Sequence, residues 1–220
     1  MNKGYILTTR AKYAQSVALS SRLRDMCNFE VDVLIGITPD DEVFKKLASK
    51  NANPRFNGRD YLTPGEVCCG YGHAEILRVH METDADKNLV VFEDDIILEA
   101  DRVSRLTYLE SAIDINPGIH ILGGQHGLKL ERYFFLRSIL SRWPLFKFER
   151  MKVYRTCCYA ISVSMLPKFE CLRQRNMAFC VDDWNFVSTH LQSKVYFKNI
   201  FSRPTNLEAS LIELERRRAK

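Results

Sequence analysis

Residues Leu89-Val90-Val91-Phe92-Glu93-Asp94-Asp95 join a continuous apolar run to three consecutive acids. A short, uninterrupted apolar run is typical of a central strand that is covered on both faces. The three acids that follow it repel one another and are costly to remove from water. At the carboxyl end of a central strand they would face the crevice in which open α/β sheets bind ligands. This stretch therefore predicts an α/β fold with a polar site at the end of one strand.

The chemistry of these acids has two interpretations. Carboxylate oxygens suit Mg²⁺ or Mn²⁺, and such a metal can in turn hold a diphosphate. Alternatively, Glu93, Asp94 and Asp95 form a solvated acidic turn between strands. The residues by themselves leave both interpretations open.

The first fifty residues alternate between strand and helix patterns. Residues 5–8 and 31–37 are apolar or β-branched runs that predict strands. Apolar residues between them recur near helical spacing, at Tyr13, Val17 and Leu23. Residues 38–41 are typical of a helix start, with Pro in the first turn and acids near the positive end of the helix. This order predicts parallel strands connected by helices.

A helix start is also clear at Thr63-Pro64-Gly65-Glu66. Thr at the N-cap, Pro at the first helical position and Glu at the third form the pattern of a capping box. We expect this helix to end near Glu82, and its predicted buried face carries Val67, Tyr71 and Ala74.

Three residues inside this helix are candidates for a special role. Gly70 and Gly72 are costly in a helix interior, so we expect another part of the chain to approach the helix closely there. His73 is interpreted either as a hydrogen-bonded structural histidine or as a site residue.

The later part of the chain continues the α/β pattern. We expect strands over 119–122, 153–163 and 195–197, and helices over 101–114, 164–175 and 182–192. Residues 123–127, Gly-Gly-Gln-His-Gly, follow a strand but lack the G-x-G-x-x-G spacing, so they are a weak phosphate-loop candidate.

A second acidic pair, Asp182-Asp183, precedes Trp184. One of these carboxylates could accept a proton from a substrate hydroxyl. Asp is also among the best helix N-caps, so a structural interpretation stands beside the catalytic one.

Composition excludes several classes of protein. The chain has 220 residues, of which 46% are hydrophobic and 27% charged, as in an ordinary globular protein. No apolar run has the 18 or so residues of a membrane span, and the N-terminus lacks the apolar stretch of a signal peptide, so we expect a cytoplasmic protein. The 7 Cys are odd in number and lack C-x-x-C spacing, which favours buried thiols in a reducing compartment.

Two segments carry clustered positive charge. Residues 129–155 contain eight Lys or Arg and seven aromatics, and residues 204–220 predict a basic amphipathic helix after a domain that covers 1–203. Basic residues are attracted to anionic head groups, and aromatics suit the membrane interface. The alternative is an aromatic core with a solvated charged face. We expect peripheral contact with an anionic membrane surface.

Four ordered motifs resemble glycosyltransferase family 25, the bacterial lipooligosaccharide β-1,4-galactosyltransferase type. The helix start resembles the family's "tpGEigCalSH" motif, and the three acids fall on its "EDD" motif. Residues 155–162 are similar to its "GTaaYlIS" strand, and residues 179–182 to its "pvD" element. The matching helix positions are Thr63, Pro64, Gly65, Glu66, Cys69 and His73.

The resemblance implies a GT-A-like single domain, with a Rossmann-like mixed sheet flanked by helices and a C-terminal helical tail. It implies a hexosyltransferase that moves a sugar, usually galactose from UDP-galactose, to a lipopolysaccharide or lipooligosaccharide core acceptor. That reaction would take place on the inner face of the inner membrane, with inversion and with a divalent Mn or Mg ion as cofactor.

The resemblance also assigns residues to roles. Asp95, helped by Glu93 or Asp94, would bind the metal, and the metal would neutralise charge on the departing nucleotide. Asp182 would be the general base, with Asp183 as the second candidate. The predicted donor-binding residues are Thr8, Thr9, Arg10, Glu66, His73, Glu93 and Asp94.

Two other functions stay open. A Mg²⁺-dependent nucleotidyltransferase or phosphatase would use the same acids, although a Gly-rich phosphate loop is missing near the first strand. A non-catalytic nucleotide-sugar-binding protein of a surface-glycan pathway is the other. It is suggested by Cys68, Gly72 and Arg155, which replace the family's usual residues.

Overall fold

The computed structural model describes residues 1–50, 62–98, 113–123, 146–148, 156–175 and 184–201. Within this part of the chain, seven strands form one mixed sheet with helices on both faces. The strands are β1 (Asn2–Thr8), β2 (Val31–Ile35), β3 (Asn88–Glu93), β4 (Ile119–Gly123), β5 (Phe146–Phe148), β6 (Cys158–Ile161) and β7 (Val195–Phe201).

The strand order is β2-β1-β3-β6-β4-β7-β5. β1 pairs in parallel with both β2 and β3, and β4 pairs in parallel with β7. β6 runs antiparallel between β3 and β4, and β5 is antiparallel to β7. The carboxyl ends of β1, β3 and β4 therefore lie at the same edge of the sheet as the beginning of β6.

The helices are α1 (Tyr13–Met26), α2 (Glu42–Lys50), α3 (Pro64–Thr83), α4 (Leu166–Arg175) and α5 (Trp184–Leu191). Short 3₁₀ turns at Arg10–Lys12 and Val163–Met165 lead into α1 and α4. The capping box of α3 is present: the Thr63 side chain accepts from the Glu66 N–H, and the Glu66 side chain accepts from the Thr63 N–H. The predicted start of this helix is confirmed.

Two apolar clusters pack on opposite faces of the sheet. One joins Ile76 and Leu77 of α3 to Leu89 and Val91 of β3, together with residues of α4 and α5. The other joins residues of α1 to Val90 and Phe92, which are the alternate residues of β3. The apolar run of β3 is thus buried on both faces, as predicted.

The buried faces of two helices differ from the prediction. Val67, Tyr71 and Ala74 are only half-buried, and the buried positions of α3 are Glu66, Cys68, Gly72, His73, Ile76, Leu77 and His80. The polar residues among them, Glu66, His73 and His80, are tolerated inside because each makes a hydrogen bond there.

In α1, Tyr13 and Val17 are exposed, whereas Ser16 and Ser20 are buried beside Leu19 and Leu23. The Ser20 hydroxyl donates to the Val31 carbonyl at 2.6 Å. Small hydroxyl side chains let α1 approach the sheet closely, and apolar spacing alone does not reveal this.

At Gly72, helix α3 packs closely against β1. A Cβ atom at this position would lie 2.6 Å from Cδ1 of Leu7. The expectation of close approach inside this helix is therefore confirmed at Gly72, and the contact draws α3 onto the carboxyl end of β1.

Candidate functional site

The candidate site lies where β1 and β3 end side by side. Leu7 pairs with Glu93 in the parallel register of these strands, so Thr8 and Asp94 follow at the same level. The Glu93 N–H donates to the Cys157 carbonyl at 2.9 Å, which brings the residues before β6 to the same edge. The sheet thereby gathers polar side chains from three distant segments.

Asp94 is held by residues of β1 and of the turn that follows it. One carboxylate oxygen, Oδ2, accepts from the Thr8 hydroxyl at 2.9 Å, and Oδ1 accepts from Lys12 Nζ at 2.9 Å. The Ser16 hydroxyl donates to Thr8 Oγ1 at 2.8 Å. We call Thr8, Lys12, Ser16 and Asp94 the Asp94 cluster.

The charge of Asp94 is balanced within this cluster. The Asp94 side chain is 14% exposed and Lys12 is 49% exposed, so the pair lies at the boundary between protein and solvent. Because both carboxylate oxygens have a donor, the side chain has a defined orientation. Asp94 is thus a hydrogen-bond acceptor with a fixed orientation, and Lys12 is its ion-pair partner.

Glu93 belongs to a different group of side chains. Cys69, His73 and Glu93 each offer one ligand atom, and these atoms all lie within 4.8 Å of one another. Cys69 and His73 are four residues apart on α3, so they lie on one face of that helix. Glu93 reaches them from the end of β3. We call these three residues, together with Tyr159, the His73 cluster.

Tyr159 fixes the His73 ring from the other side of the cluster. The two are joined by a 2.9 Å hydrogen bond between His73 Nδ1 and the Tyr159 hydroxyl, and both residues are buried. Burial raises the pKa of Tyr159 well above its ordinary value, so the phenol stays neutral. Trp184, at the start of α5, packs edge-on against Tyr159 with ring centroids 4.9 Å apart. Its indole N–H donates to the Thr156 hydroxyl at 2.6 Å.

Asp95, the predicted metal ligand, is half-buried directly beyond the end of β3. Asp95 offers hard carboxylate oxygens of the kind that Mg²⁺ or Mn²⁺ prefers. Both oxygens of Asp94 already accept from Thr8 and Lys12. Glu93, the second predicted ligand, lies instead with a thiol and an imidazole, which suit a softer ion. The role of Asp95 as a metal ligand stays a prediction. In the structure, Glu93 and its neighbour Asp94 lie in different groups of side chains.

The remaining predicted donor-binding residues, Thr9, Arg10 and Glu66, differ in burial and in their hydrogen-bond or ion-pair partners. Thr9 follows β1 and is half-buried, and Arg10 is exposed. Arg10 is paired with Asp41 at 3.7 Å, and hydrogen bonds from Thr38 lower the pKa of Asp41. Glu66 is buried at the start of α3, where its carboxylate accepts from the Thr63 N–H at 2.8 Å. A donor contact of Glu66 stays a prediction beside this structural role.

Several predictions fall outside the described residues. These are the catalytic roles of Asp182 and Asp183, the basic-aromatic segment over 129–155, the tail over 204–220, and Gly124 onward in the weak phosphate-loop candidate. Helix α5 begins at Trp184, directly after the acidic pair. Among the described helices, none is both long enough and apolar enough to cross a membrane.

Sequence reasoning gave no site role to four residues of the two clusters: Lys12, Ser16, Cys69 and Tyr159. Lys12 and Ser16 lie four and eight residues after Thr8. The ion pair between Lys12 and Asp94 joins residues 82 apart in the sequence, and Ser16 reaches Asp94 only through its hydrogen bond to Thr8. The i, i+4 spacing of Cys69 and His73 was a usable signal, since both side chains must lie on one helix face.

Comparisons with known proteins concern the fold. No protein-family model matches the chain, and no curated protein matches its sequence at a significant level. A solved structure of a glycosyltransferase involved in the glycosylation of the major capsid of PBCV-1 is similar, with a TM-score of 0.51 and 8% identity. That match covers 98% of this chain and 100% of the other.

Two further solved structures have lower TM-scores. A197 from STIV has a TM-score of 0.46 at 12% identity, over 91% of this chain and 83% of its own. Mouse xyloside xylosyltransferase 1, in its apo form, has a TM-score of 0.39 at 8% identity, over 88% of this chain and 63% of its own.

The likeness to the PBCV-1 enzyme shows the fold of this chain. The fold is GT-A-like, with a mixed sheet flanked by helices. The predicted fold class is confirmed at this level. Membership of glycosyltransferase family 25 stays a prediction.

Proposed function

We propose that this protein is a glycosyltransferase that takes a sugar from a nucleotide-sugar donor. The main support is the hydrogen bond from Thr8 to Asp94, which places polar side chains at the carboxyl edge of a GT-A-like sheet. Ligands of open α/β sheets bind at this edge, where strand ends and their loops form a crevice.

The chain's own residues suggest how a donor is held. Thr9 and Arg10 follow β1 at this edge, and the exposed Arg10 guanidinium offers paired donors to a phosphate. Asp95 would hold a divalent Mn or Mg ion, which when bound supplies positive charge to the diphosphate. Lys12 orients Asp94 through the 2.9 Å ion pair, so the acid beside Asp95 keeps one position.

The proton of the acceptor hydroxyl needs a base. We assign this role to Asp182, with Asp183 as the second candidate, on the strength of the motif that the pair matches. The buried contact between Trp184 and Thr156 supports the assignment, because it anchors the residue after the pair beside the segment that leads into β6.

The finer substrate assignment follows the family resemblance. We propose UDP-galactose as donor and a lipopolysaccharide or lipooligosaccharide core as acceptor. The basic and aromatic composition of residues 129–155 suits an anionic, amphipathic acceptor at the inner membrane surface.

Donor binding is the direct test. The full chain is titrated with UDP-galactose, UDP-glucose and other nucleotide sugars, with and without Mn²⁺, and unfolding is followed by thermal shift. A bound donor raises the melting temperature by mass action. Release of UDP with a lipooligosaccharide acceptor then establishes transfer.

Each outcome selects one function. Donor binding with UDP release supports the transferase. Donor binding without UDP release in the presence of every acceptor tested supports the non-catalytic alternative. Release of pyrophosphate from a nucleoside triphosphate would instead identify a nucleotidyltransferase.

The membrane contact is tested separately with vesicles. Co-sedimentation should require anionic lipid and weaken as salt rises, because exposed charges are screened. Equal recovery in the supernatant with neutral and anionic vesicles at low salt would contradict the membrane assignment.

A further inference from the structure

The His73 cluster contains three classical metal-binding groups of different chemistry. A thiol, an imidazole and a carboxylate converge from α3 and β3, with ligand atoms within 4.8 Å of one another. Zn²⁺ is bound in proteins by Cys sulfur, His nitrogen and Asp or Glu oxygen, whereas Mg²⁺ and Mn²⁺ prefer oxygen ligands. The donor set therefore selects a different ion from that proposed at Asp95.

We propose that Cys69, His73 and Glu93 bind one Zn²⁺ ion, and that the fourth coordination position is open to water or to an oxygen of a bound molecule. The site is distinct from the Mn or Mg site at Asp95. It does not depend on the proposed glycosyltransferase activity.

The spacing of the ligands is close to that of a tetrahedral zinc site. Zinc bonds of about 2.0–2.3 Å at tetrahedral angles place neighbouring ligand atoms about 3.3–3.6 Å apart. From separations of 4.8 Å or less, the ligand atoms need to approach one another by at most about 1.5 Å. Two of the ligands, Cys69 and His73, share one rigid helix face, and Glu93 ends a strand that is buried on both faces.

Tyr159 supplies the outer support that metal-binding histidines usually have. A His ligand normally makes a hydrogen bond through its other ring nitrogen, which sets the ring orientation. The His73 Nδ1 atom already has such a partner in the Tyr159 hydroxyl at 2.9 Å. A metal bound at Nε2 keeps this hydrogen bond, with Nδ1–H donating to the phenol oxygen.

Charge also favours the ion. A Cys69 thiolate and the Glu93 carboxylate together carry two negative charges, and a neutral His73 adds none. One Zn²⁺ cancels this charge, and the thiol proton is released to solvent on binding. Cys69 and Glu93 are half-buried and His73 is only 7% exposed, so the site lies between the core and the surface.

Asp94, the acid next to Glu93, is not a ligand of the proposed zinc ion. Asp94 accepts from Thr8 and Lys12 through its two carboxylate oxygens. The two consecutive acids therefore have different neighbours. Asp94 contacts a lysine and a threonine, whereas Glu93 lies beside a thiol and an imidazole. In the described part of the chain, the His73 cluster is the group whose donors fit zinc.

Cobalt is the first probe, because Co²⁺ bound by a thiolate gives a charge-transfer band in the near ultraviolet. The reduced full chain is freed of metal with EDTA and titrated with Co²⁺, without any nucleotide sugar. We expect one equivalent to produce the band and Zn²⁺ to abolish it by displacement. Cys69→Ser should remove the band and weaken Zn²⁺ binding at least about 100-fold, since loss of outer-shell partners alone costs about 10–100-fold.

Cys171→Ser is the matched control, because Cys171 is an exposed cysteine on α4. This variant should keep the band at full intensity. A band that survives Cys69→Ser, or its absence from the wild-type protein at stoichiometric Co²⁺, overturns the proposal.

Alkylation of the wild-type chain removes any dependence on a variant that fails to fold. Iodoacetamide labelling is followed by peptide mass spectrometry, with Cys171 as the internal reference. Zn²⁺ should slow the labelling of Cys69 at least tenfold and leave Cys171 unchanged, whereas Mg²⁺ should change neither. Equal labelling of Cys69 with and without Zn²⁺ would overturn the zinc assignment even if donor binding is established.

Discussion

The Asp94 cluster and the His73 cluster begin at adjacent residues and differ in almost every property. The Asp94 cluster joins a carboxylate to an amine and two hydroxyls at the boundary with solvent. The His73 cluster joins a carboxylate to a thiol, an imidazole and a phenol, and two of its members are buried. The Asp94 cluster consists of hard oxygen groups and an ammonium group, whereas the His73 cluster adds a soft thiol and an imidazole.

The difference arises from the geometry of the strand end. Successive side chains of a strand point to opposite faces of the sheet. Glu93 follows the alternation that places Val91 with α3, whereas Asp94 is turned toward the 3₁₀ turn after β1. Two consecutive acids that look equivalent in the sequence therefore lie in different chemical surroundings.

The largest effect is expected outside both clusters. Asp182→Asn should lower turnover by about 10²–10⁴-fold and leave donor affinity nearly unchanged, because general-base catalysis is worth about that factor. Turnover and donor affinity are measured by UDP release and by titration. If Asp183→Asn has this pattern and Asp182→Asn does not, the other member of the pair is the base.

The next effect separates the metal at Asp95 from the soft donors. Asp95→Asn removes the charge while keeping the shape, and Mn²⁺-dependent UDP-sugar binding should weaken by about 100-fold or more. The melting temperature without ligand should change little. Cys69→Ser is the comparison, and it should leave the Mn²⁺ dependence in place. Unchanged metal dependence in Asp95→Asn would contradict the assignment.

One contribution to acid sensitivity should come from His120, which lies outside both clusters. Burial lowers the pKa of His120 from 6.5 to about 4, and its Nε2 lies 2.9 Å from the Asn116 carbonyl. The unfolded chain binds the proton more readily, so stability is lost as pH falls from about 6.5 to about 4. Between about pH 7.5 and pH 5 the free energy of unfolding should fall by about 2 kcal/mol from this group.

Urea denaturation of His120→Gln at both pH values checks this expectation. The variant should be less dependent on pH than the wild type, whatever its stability at neutral pH. His80 also has its pKa lowered by burial, so part of the dependence should remain. An unchanged pH dependence in His120→Gln would show that the titration lies elsewhere.

Removal of one hydroxyl should weaken the Asp94 cluster. Thr8→Val keeps the shape of a residue that is 3% exposed, but it removes the hydrogen bond to Asp94. We expect a loss of about 1.5 kcal/mol in the free energy of unfolding, the usual scale for a hydrogen bond to a charged group. Thr9→Val is the matched control at the next residue, and an equal loss there would remove the special role of Thr8.

The smallest effect is expected for the partly exposed cation. Lys12→Met breaks the ion pair with Asp94 but should change the free energy of unfolding by less than about 1 kcal/mol, because solvent screens the pair. Denaturation in low and high salt measures the difference. A larger loss than that of Thr8→Val would show that the ion pair, and not the hydroxyl, holds Asp94.

Local patterns were sufficient for the elements that form the site. The Thr63–Glu66 capping box, the apolar run of β3 and the acids at its end were all predicted, because each depends on neighbours within a few residues. The buried face of α3 was not predicted, because Glu66, His73 and His80 are tolerated inside only through partners elsewhere in the chain.

The sequence by itself determined an α/β sheet with acids at the end of a central strand, since apolar runs, caps and turn residues act over short distances. Only the tertiary structure decided that Lys12 binds Asp94 and that Glu93 joins Cys69 and His73. Those contacts depend on parallel pairing of β1 with β3 and on α3 packing at Gly72. Strand register and helix approach result from packing of the whole core, so a local pattern does not contain them.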